Sequence, residues 1–223
     1  METKEIKLAH SYSAIKLYEN CSLRYYRQRI IKDIQDEPGE ASIYGDRVHK
    51  ALESRLKIGA DLPDHLAFAE KYCRSIEDLG NRGLLGVEQE LVITENFEPV
   101  DWWHRDAWLR FKLDVLVIVG STALIFDWKT GKRRVDNFQM EMFAAIVFQM
   151  YPEVQVVKTN LVWLKDKAMD TEVFKRKQSP YLWRTILEKI KRIEKSLERE
   201  NWPAKPSGLC GWCPARFSCD YYE

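Results

Sequence analysis

Apolar residues recur along this chain in distinct rhythms, and each rhythm predicts a kind of element. Two nearly uninterrupted apolar runs, FKLDVLVIV and ALIFDWK, flank a Gly-Ser-Thr turn and predict a buried β-hairpin within Phe111–Lys132. LLGVEQELVIT reads as an earlier strand, and VQVVKTNLVWL alternates as a later one, with TEVFKRK as its partner. Elsewhere the spacing is three or four residues, which predicts helices. The first is capped by Ser11 or Ser13 and carries Ile15, Leu17 and Tyr18 towards Cys21. SLRYYRQRIIKDI continues the helical pattern, with a basic side made by Arg24, Arg27 and Arg29. After a turn at Pro38-Gly39, ASIYGDRVHKALESRLK turns Ile43, Val48, Leu52 and Leu56 inward. Pro63 to about Asn81 follows, with Leu66, Phe68, Tyr72, Ile76 and Leu79 on its apolar face. A helix after the hairpin packs through Phe138, Met142, Ala145, Ile146 and Met150. A long amphipathic one from Pro180 to Glu200 uses Leu182, Ile186, Ile190, Ile193 and Leu197. Strands mixed with helices in this order predict an α/β chain with a central sheet flanked by helices.

At 223 residues and 45% hydrophobic content the chain can build one substantial core, and no Pro/Gly/Ser-rich linker divides it, so residues 1–223 read as one domain. No apolar run is long enough to cross a bilayer, and METKEIKLAH lacks the apolar segment of a signal peptide. A cytoplasmic location without a membrane partner is expected, and with it reduced cysteines. The net charge is +1, from 35 basic and 34 acidic residues, which excludes a generally cationic nucleic-acid coat. Any DNA contact must come from local patches.

The hairpin carries the chemistry. Asp114 and Asp127 stand where apolar residues belong, and buried carboxylates must be compensated. By strand alternation Asp127 and Lys129 share a face while Trp128 points away. Two acids and an ammonium at one end of a hairpin can hold a divalent cation and activate a water beside it. Asp-x-Lys alone is equally a surface ion pair. Asp114 with Asp127-Trp128-Lys129 resembles the catalytic hairpin of the PD-(D/E)XK nuclease superfamily, and DWKTGK resembles its RecB-type branch.

That resemblance implies a restriction-endonuclease-like core and Mg²⁺- or Mn²⁺-dependent hydrolysis of DNA. Gly45-Asp46-Arg47-Val48-His49 matches the Gly-x-x-x-His pattern whose histidine is a metal ligand. It makes His49, Asp114, Asp127 and the carbonyl of Trp128 the implied ligands, with Lys129 beside the attacking water. Glycine in a helix disfavours it by about 1 kcal/mol, so Gly45 points to a close approach by another element. Gln139 falls where the branch has Gln-x-x-x-Tyr, and Phe143 replaces the tyrosine, so only Gln139 keeps a polar role. A glutamate near the site is expected from Glu88 or Glu90, which share a strand face; Glu88 is the better match. Lys132, Arg133 and Arg134 follow at the mouth of the site, placed for phosphate contacts. Trp102, Trp103 and Trp108 cluster before the hairpin, either to cover the sheet edge or to stack on unpaired bases.

The tail GLCGWCPARFSCDYY holds Cys210, Cys213 and Cys219, and three close thiols leave one coordination position open for a fourth. Cys73 lies inside a helical pattern and reads as a small core residue. Cys21 with the C-terminal triplet is similar to the ligand set of the AddB-type and CRISPR-adaptation exonucleases. The resemblance implies a 4Fe-4S staple formed by Cys21 and residues 208–221; structural zinc suits four thiolates equally in coordination terms. The implied substrate is DNA, single-stranded or with free ends, in recombination, repair or CRISPR adaptation, with phage, host and defence settings all open. The rival is a non-catalytic DNA-binding or complex-forming subunit that keeps the fold and the staple.

Overall fold

The computed structural model describes residues 8–134 and 136–222. It divides into two compact units, one built on Glu40–Trp183 and the other on His10–Gly39 with Arg184–Glu223.

The first unit is organised by a five-stranded sheet of β1 (Leu84–Ile93), β2 (Leu109–Val119), β3 (Thr122–Lys129), β4 (Val156–Trp163) and β5 (Ala168–Lys175), in that spatial order. All pairs are antiparallel except β3 with β4, which run parallel. The parallel pair needs a crossover. The helix α5, Asn137–Met150, supplies it, with Gln139, Met140 and every residue from Met142 to Phe148 buried. On one face of the sheet, Val115, Val117, Phe126 and Trp128 pack against Val48, Leu52 and Leu56 of α3 (Glu40–Ile58) and against Cys73 and Ile76 of α4 (Glu70–Gly80). Cys73 is thus the core residue its pattern predicts.

The helix expected from Pro63 is in two parts, a 3-10 segment Asp64–Ala69 and then α4. Ile43 is 40% exposed, against the inward position its spacing predicts, because it falls in the first turn of α3, short of the packed stretch. Thr130 Oγ1 would lie 3.2 Å from a Cβ at Gly45, so α3 meets the DWKTGK loop closely there, as expected of that glycine.

The β2–β3 ladder ends at Val115 opposite Phe126. Beyond that pair the strands part. The β1–β2 register is interrupted at Glu88 and Asp114, and Glu88 has a left-handed backbone at φ 55. Such a conformation is uncommon for a residue with a side chain and persists only where its surroundings hold it. Asp114 reaches His49 of α3 from this point of the strand.

In the second unit, α1 (Tyr12–Asn20) starts on Ser11, whose side chain accepts from Ala14 N. The helix α2 (Ser22–Tyr25) passes directly into a π-helical stretch, Tyr26–Ile31, closed by Lys32 at φ 59. The Tyr18 hydroxyl bonds the Arg192 carbonyl and Ser196 Oγ of α6, Ser179–Glu198. Ser22 Oγ donates to Pro203 O at 2.6 Å, and Trp202 stacks on both Tyr25 and Tyr26. Arg24 pairs with Asp36, and Arg27 with Asp33, so much of the basic side of the second helix is neutralised within the chain. Among the described residues no helix is long and apolar enough to cross a membrane.

Candidate active site

The parting of β2 from β3 exposes backbone groups between them, and Asp114 fills part of the gap. Its Oδ2 accepts the Trp128 amide at 2.7 Å, while its Oδ1 lies 3.3 Å from His49 Nδ1. A strand residue points its N–H and C=O to the same side, so the Trp128 carbonyl faces this gap too, and the Trp128 backbone also interacts with the His49 ring. Glu88, facing Asp114 across the interrupted register, completes the group. One ligand atom from each of His49, Glu88 and Asp114 lies within 4.8 Å of the others. Glu90 is exposed on β1, which decides between the two glutamates. Glu88 also pairs with Lys112 at 2.6 Å.

Asp127 faces α5. Gln139 Nε2 donates to its Oδ1 at 3.2 Å, and Gln139 Oε1 accepts from Lys129 Nζ at 2.9 Å. The amide thereby fixes the acid and the ammonium relative to each other. It is held in turn by the helix start, where Asp136 caps the Gln139 backbone amide. Lys129 Nζ forms an ion pair with Asp127 Oδ2 at 2.6 Å, and among the described residues this buried oxygen has no further partner. Burial raises the Asp127 pKa; the Lys129 charge opposes that and the Asp114 charge adds to it. Burial pulls the His49 pKa down, but its hydrogen bond to Asp114 and the charges of Asp114 and Asp127 outweigh this and leave it raised. Three carboxylates, one of them buried with a raised pKa, against Lys129 and Lys112 leave the cluster short of positive charge. A hard divalent cation fits that donor set of oxygens and one imidazole. Phe143 is buried and apolar, in keeping with its departure from tyrosine.

The loop after β3 splits in role. Lys132, Arg133 and Arg134 are all exposed, yet Arg133 is held by Asp170 of β5, its Nε 3.0 Å from Oδ2. Asp170 is itself fixed by the Trp163 indole at 2.7 Å.

In the second unit, Cys21, Cys210, Cys213 and Cys219 line one hollow. The Ser207 amide donates to Cys210 Sγ at 3.3 Å.

Residues 9–220 match the family model of the PD-(D/E)XK nuclease superfamily. The chain belongs to this superfamily. Gene 69 protein of Mycobacterium phage L5 is 25% identical over 121 residues, which cover 52% of this chain and 40% of that protein, well under half its length. Among solved structures, a candidate exonuclease from Eubacterium rectale superposes with a TM-score of 0.57 at 15% identity, over 97% of this chain and 90% of that one. A protein named SSO0001 gives 0.50 at 10% identity, over 99% and 89%. Likeness at such identities is one of fold, a mixed α/β core consistent with the restriction-endonuclease-like architecture of PD-(D/E)XK nucleases. Sequence reasoning about this chain missed Asp170 as the partner of Arg133, and it preferred Glu88 to Glu90 without the β1–β2 register that would decide between them.

Proposed function

We propose that this PD-(D/E)XK nuclease is a Mg²⁺- or Mn²⁺-dependent deoxyribonuclease of the RecB-type branch, acting as an exonuclease on single-stranded DNA or free DNA ends. The observation that carries the reading is the meeting of His49, Glu88 and Asp114 within 4.8 Å, at a site where His49 also feels the charge of Asp127. His49, Glu88, Asp114, Asp127 and the Trp128 carbonyl would hold the cation. When bound, the cation supplies Lewis-acid stabilisation of the phosphodiester and acidifies an attacking water. Lys129 orients that water and offsets the charge that grows on the phosphate. Gln139 positions Lys129 and Asp127 without itself touching the substrate. Intact acids and lysine argue against a non-catalytic binding subunit. The exonuclease preference rests on the branch resemblance, and the name carried by the Eubacterium rectale protein points the same way. Recombination, repair and CRISPR adaptation are the settings such an activity serves, in the cytoplasm, and both units serve one nuclease domain in this reading.

We propose further that Cys21, Cys210, Cys213 and Cys219 hold a 4Fe-4S cluster with a structural role. The hollow that all four thiols line supports a shared metal, and the choice of a cluster over zinc rests on the resemblance to the iron-sulfur exonucleases, since four thiolates suit either metal.

End-labelled single- and double-stranded DNA, linear and circular, incubated with Mg²⁺, Mn²⁺ or EDTA tests the activity. Cation-dependent loss of label from linear substrates is expected. Cleavage in EDTA, or none under any condition, would overturn the reading. Binding should also weaken steeply with salt through the loop after β3. Because Arg133 is committed to Asp170, Lys132→Ala and Arg134→Ala should each lower the salt slope by about one unit, and Arg133→Ala by less. Titrations at several salt concentrations read this directly.

A further inference from the structure

The tryptophans ahead of β2 are not equivalent. Trp108 is 8% exposed and packs edge-on against Phe97, which in turn meets Trp183; it does the covering. Trp103 is 83% exposed and contributes nothing to that core. The Arg110 guanidinium lies 5.5 Å from the ring centroids of both Trp102 and Trp103, which ties the exposed indole to the sheet. Among the described residues Arg110 Nε has no hydrogen-bond partner, and the contacts with the two rings hold this cation in place. Arg110 and Asp114 are four residues apart on one strand, with Lys112 between them on the same side by alternation. At strand rise that separation is about 13 Å.

We propose that Trp103, presented by Arg110 and Trp102, is a stacking platform for one unpaired base of the DNA strand whose backbone lies in the active site. The base stacked there sits roughly two nucleotides of extended strand from the phosphate being cleaved. This deepens the proposed nuclease function and rests on it. An open indole face takes the π face of any base, so the platform is indifferent to sequence. It discriminates against bases still stacked within a duplex, because their faces are already covered. The cation behind the indole adds attraction for the adjoining phosphate. Single strands and frayed ends are therefore the substrates this surface selects.

The test is binding of fluorescently labelled oligothymidylate to the full chain in EDTA, where nothing is cleaved. Trp103→Ala should weaken binding about 5- to 100-fold, while Trp103→Phe, which keeps an aromatic face, stays within about threefold of the parent. Trp103 is so exposed that neither change threatens folding. An abasic site moved along the oligonucleotide should weaken the parent at one position and leave Trp103→Ala unaffected there. Parental affinity of Trp103→Ala, or an abasic scan with no position linked to Trp103, would overturn the proposal, including the case in which this indole docks a protein instead. The two readings separate in the outcome. If the parent cuts no DNA with Mg²⁺ or Mn²⁺ yet Trp103→Ala binds more weakly, only the nuclease reading fails. If the parent cuts and Trp103→Ala binds as well as the parent, only the platform fails.

Discussion

Asp127→Asn should cleave DNA at least about 1,000-fold more slowly than the parent, a loss of roughly 4 kcal/mol in the barrier, and yet unfold at a higher temperature in EDTA. The two effects have one cause. Asp127 is buried, and its burial together with the Asp114 charge outweighs the nearby Lys129, so without a cation the folded protein carries an acid whose ionised form is disfavoured. Its raised pKa means that the folded state binds more protons than the unfolded state, from the usual carboxylate value up to about 6. Stability from this group is therefore greatest at low pH and is lost as pH rises through that window, the reverse of an ordinary paired carboxylate. An asparagine removes the loss and keeps an oxygen for the Gln139 amide. The expected gain at pH 7 is about 1–3 kcal/mol, and it should vanish below about pH 4. Thermal unfolding of both proteins across pH, with and without Mn²⁺, measures it. Cation should narrow the difference, since it binds the parent more tightly and stabilises it by mass action. Parental nuclease activity in Asp127→Asn, once contaminating enzyme is excluded, would remove Asp127 from the site.

The acids of the hairpin were legible because a charge inside an apolar strand is an anomaly that needs a partner, and Lys129 stands two residues away. Glu88 was legible only as one of a pair. A two-residue period gives Glu88 and Glu90 the same face, and the choice is made by register across the long connection from Ile93 to Leu109 and by a left-handed backbone. Neither leaves a local signal in a residue that is not glycine. Asp170 lies 37 residues from Arg133, on a strand whose pairing depends on a crossover, so three consecutive cations read as three phosphate contacts. Neutralisation of the basic side of the second helix does have a local signal. Asp33 and Asp36 follow within a few residues, close enough to neutralise Arg27 and Arg24 once the helix ends at Lys32. The π-helical geometry of Tyr26–Ile31 has no counterpart in apolar spacing. Of the cysteines, the C-terminal triplet announced itself by spacing, whereas Cys21 entered only through resemblance; the hollow it shares with Cys210, Cys213 and Cys219 is a tertiary fact.

Cys21→Ser is the substitution with the largest expected structural effect. Protein purified anaerobically should be brown with about four irons per chain, and Cys21→Ser should lose the colour and most of the iron. Cys73→Ser should keep both, since Cys73 lies fully buried in the core against α3 and α4, where burial pushes its thiol up to about 11. The segment released by Cys21→Ser can be anticipated from burial. Between Ala204 and Tyr222 only Ala215 is buried, and Trp212 and Phe217 are 83% and 86% exposed, so this stretch has no apolar core of its own. Metal binding must then supply its folding free energy. By contrast, α1 remains tied to α6 by the Tyr18 hydroxyl, and the helix after it by the Trp202 stack and by Ser22 with Pro203, none of which involves a thiol. Loss of the cluster should therefore expose residues 204–222 to protease at least about 100-fold faster while α1 keeps its protection. Zinc in place of iron after anaerobic purification would reject the cluster and keep the staple. A fully metallated Cys21→Ser protein with parental protease resistance would reject the staple itself, because the three remaining thiols would then suffice to order the tail.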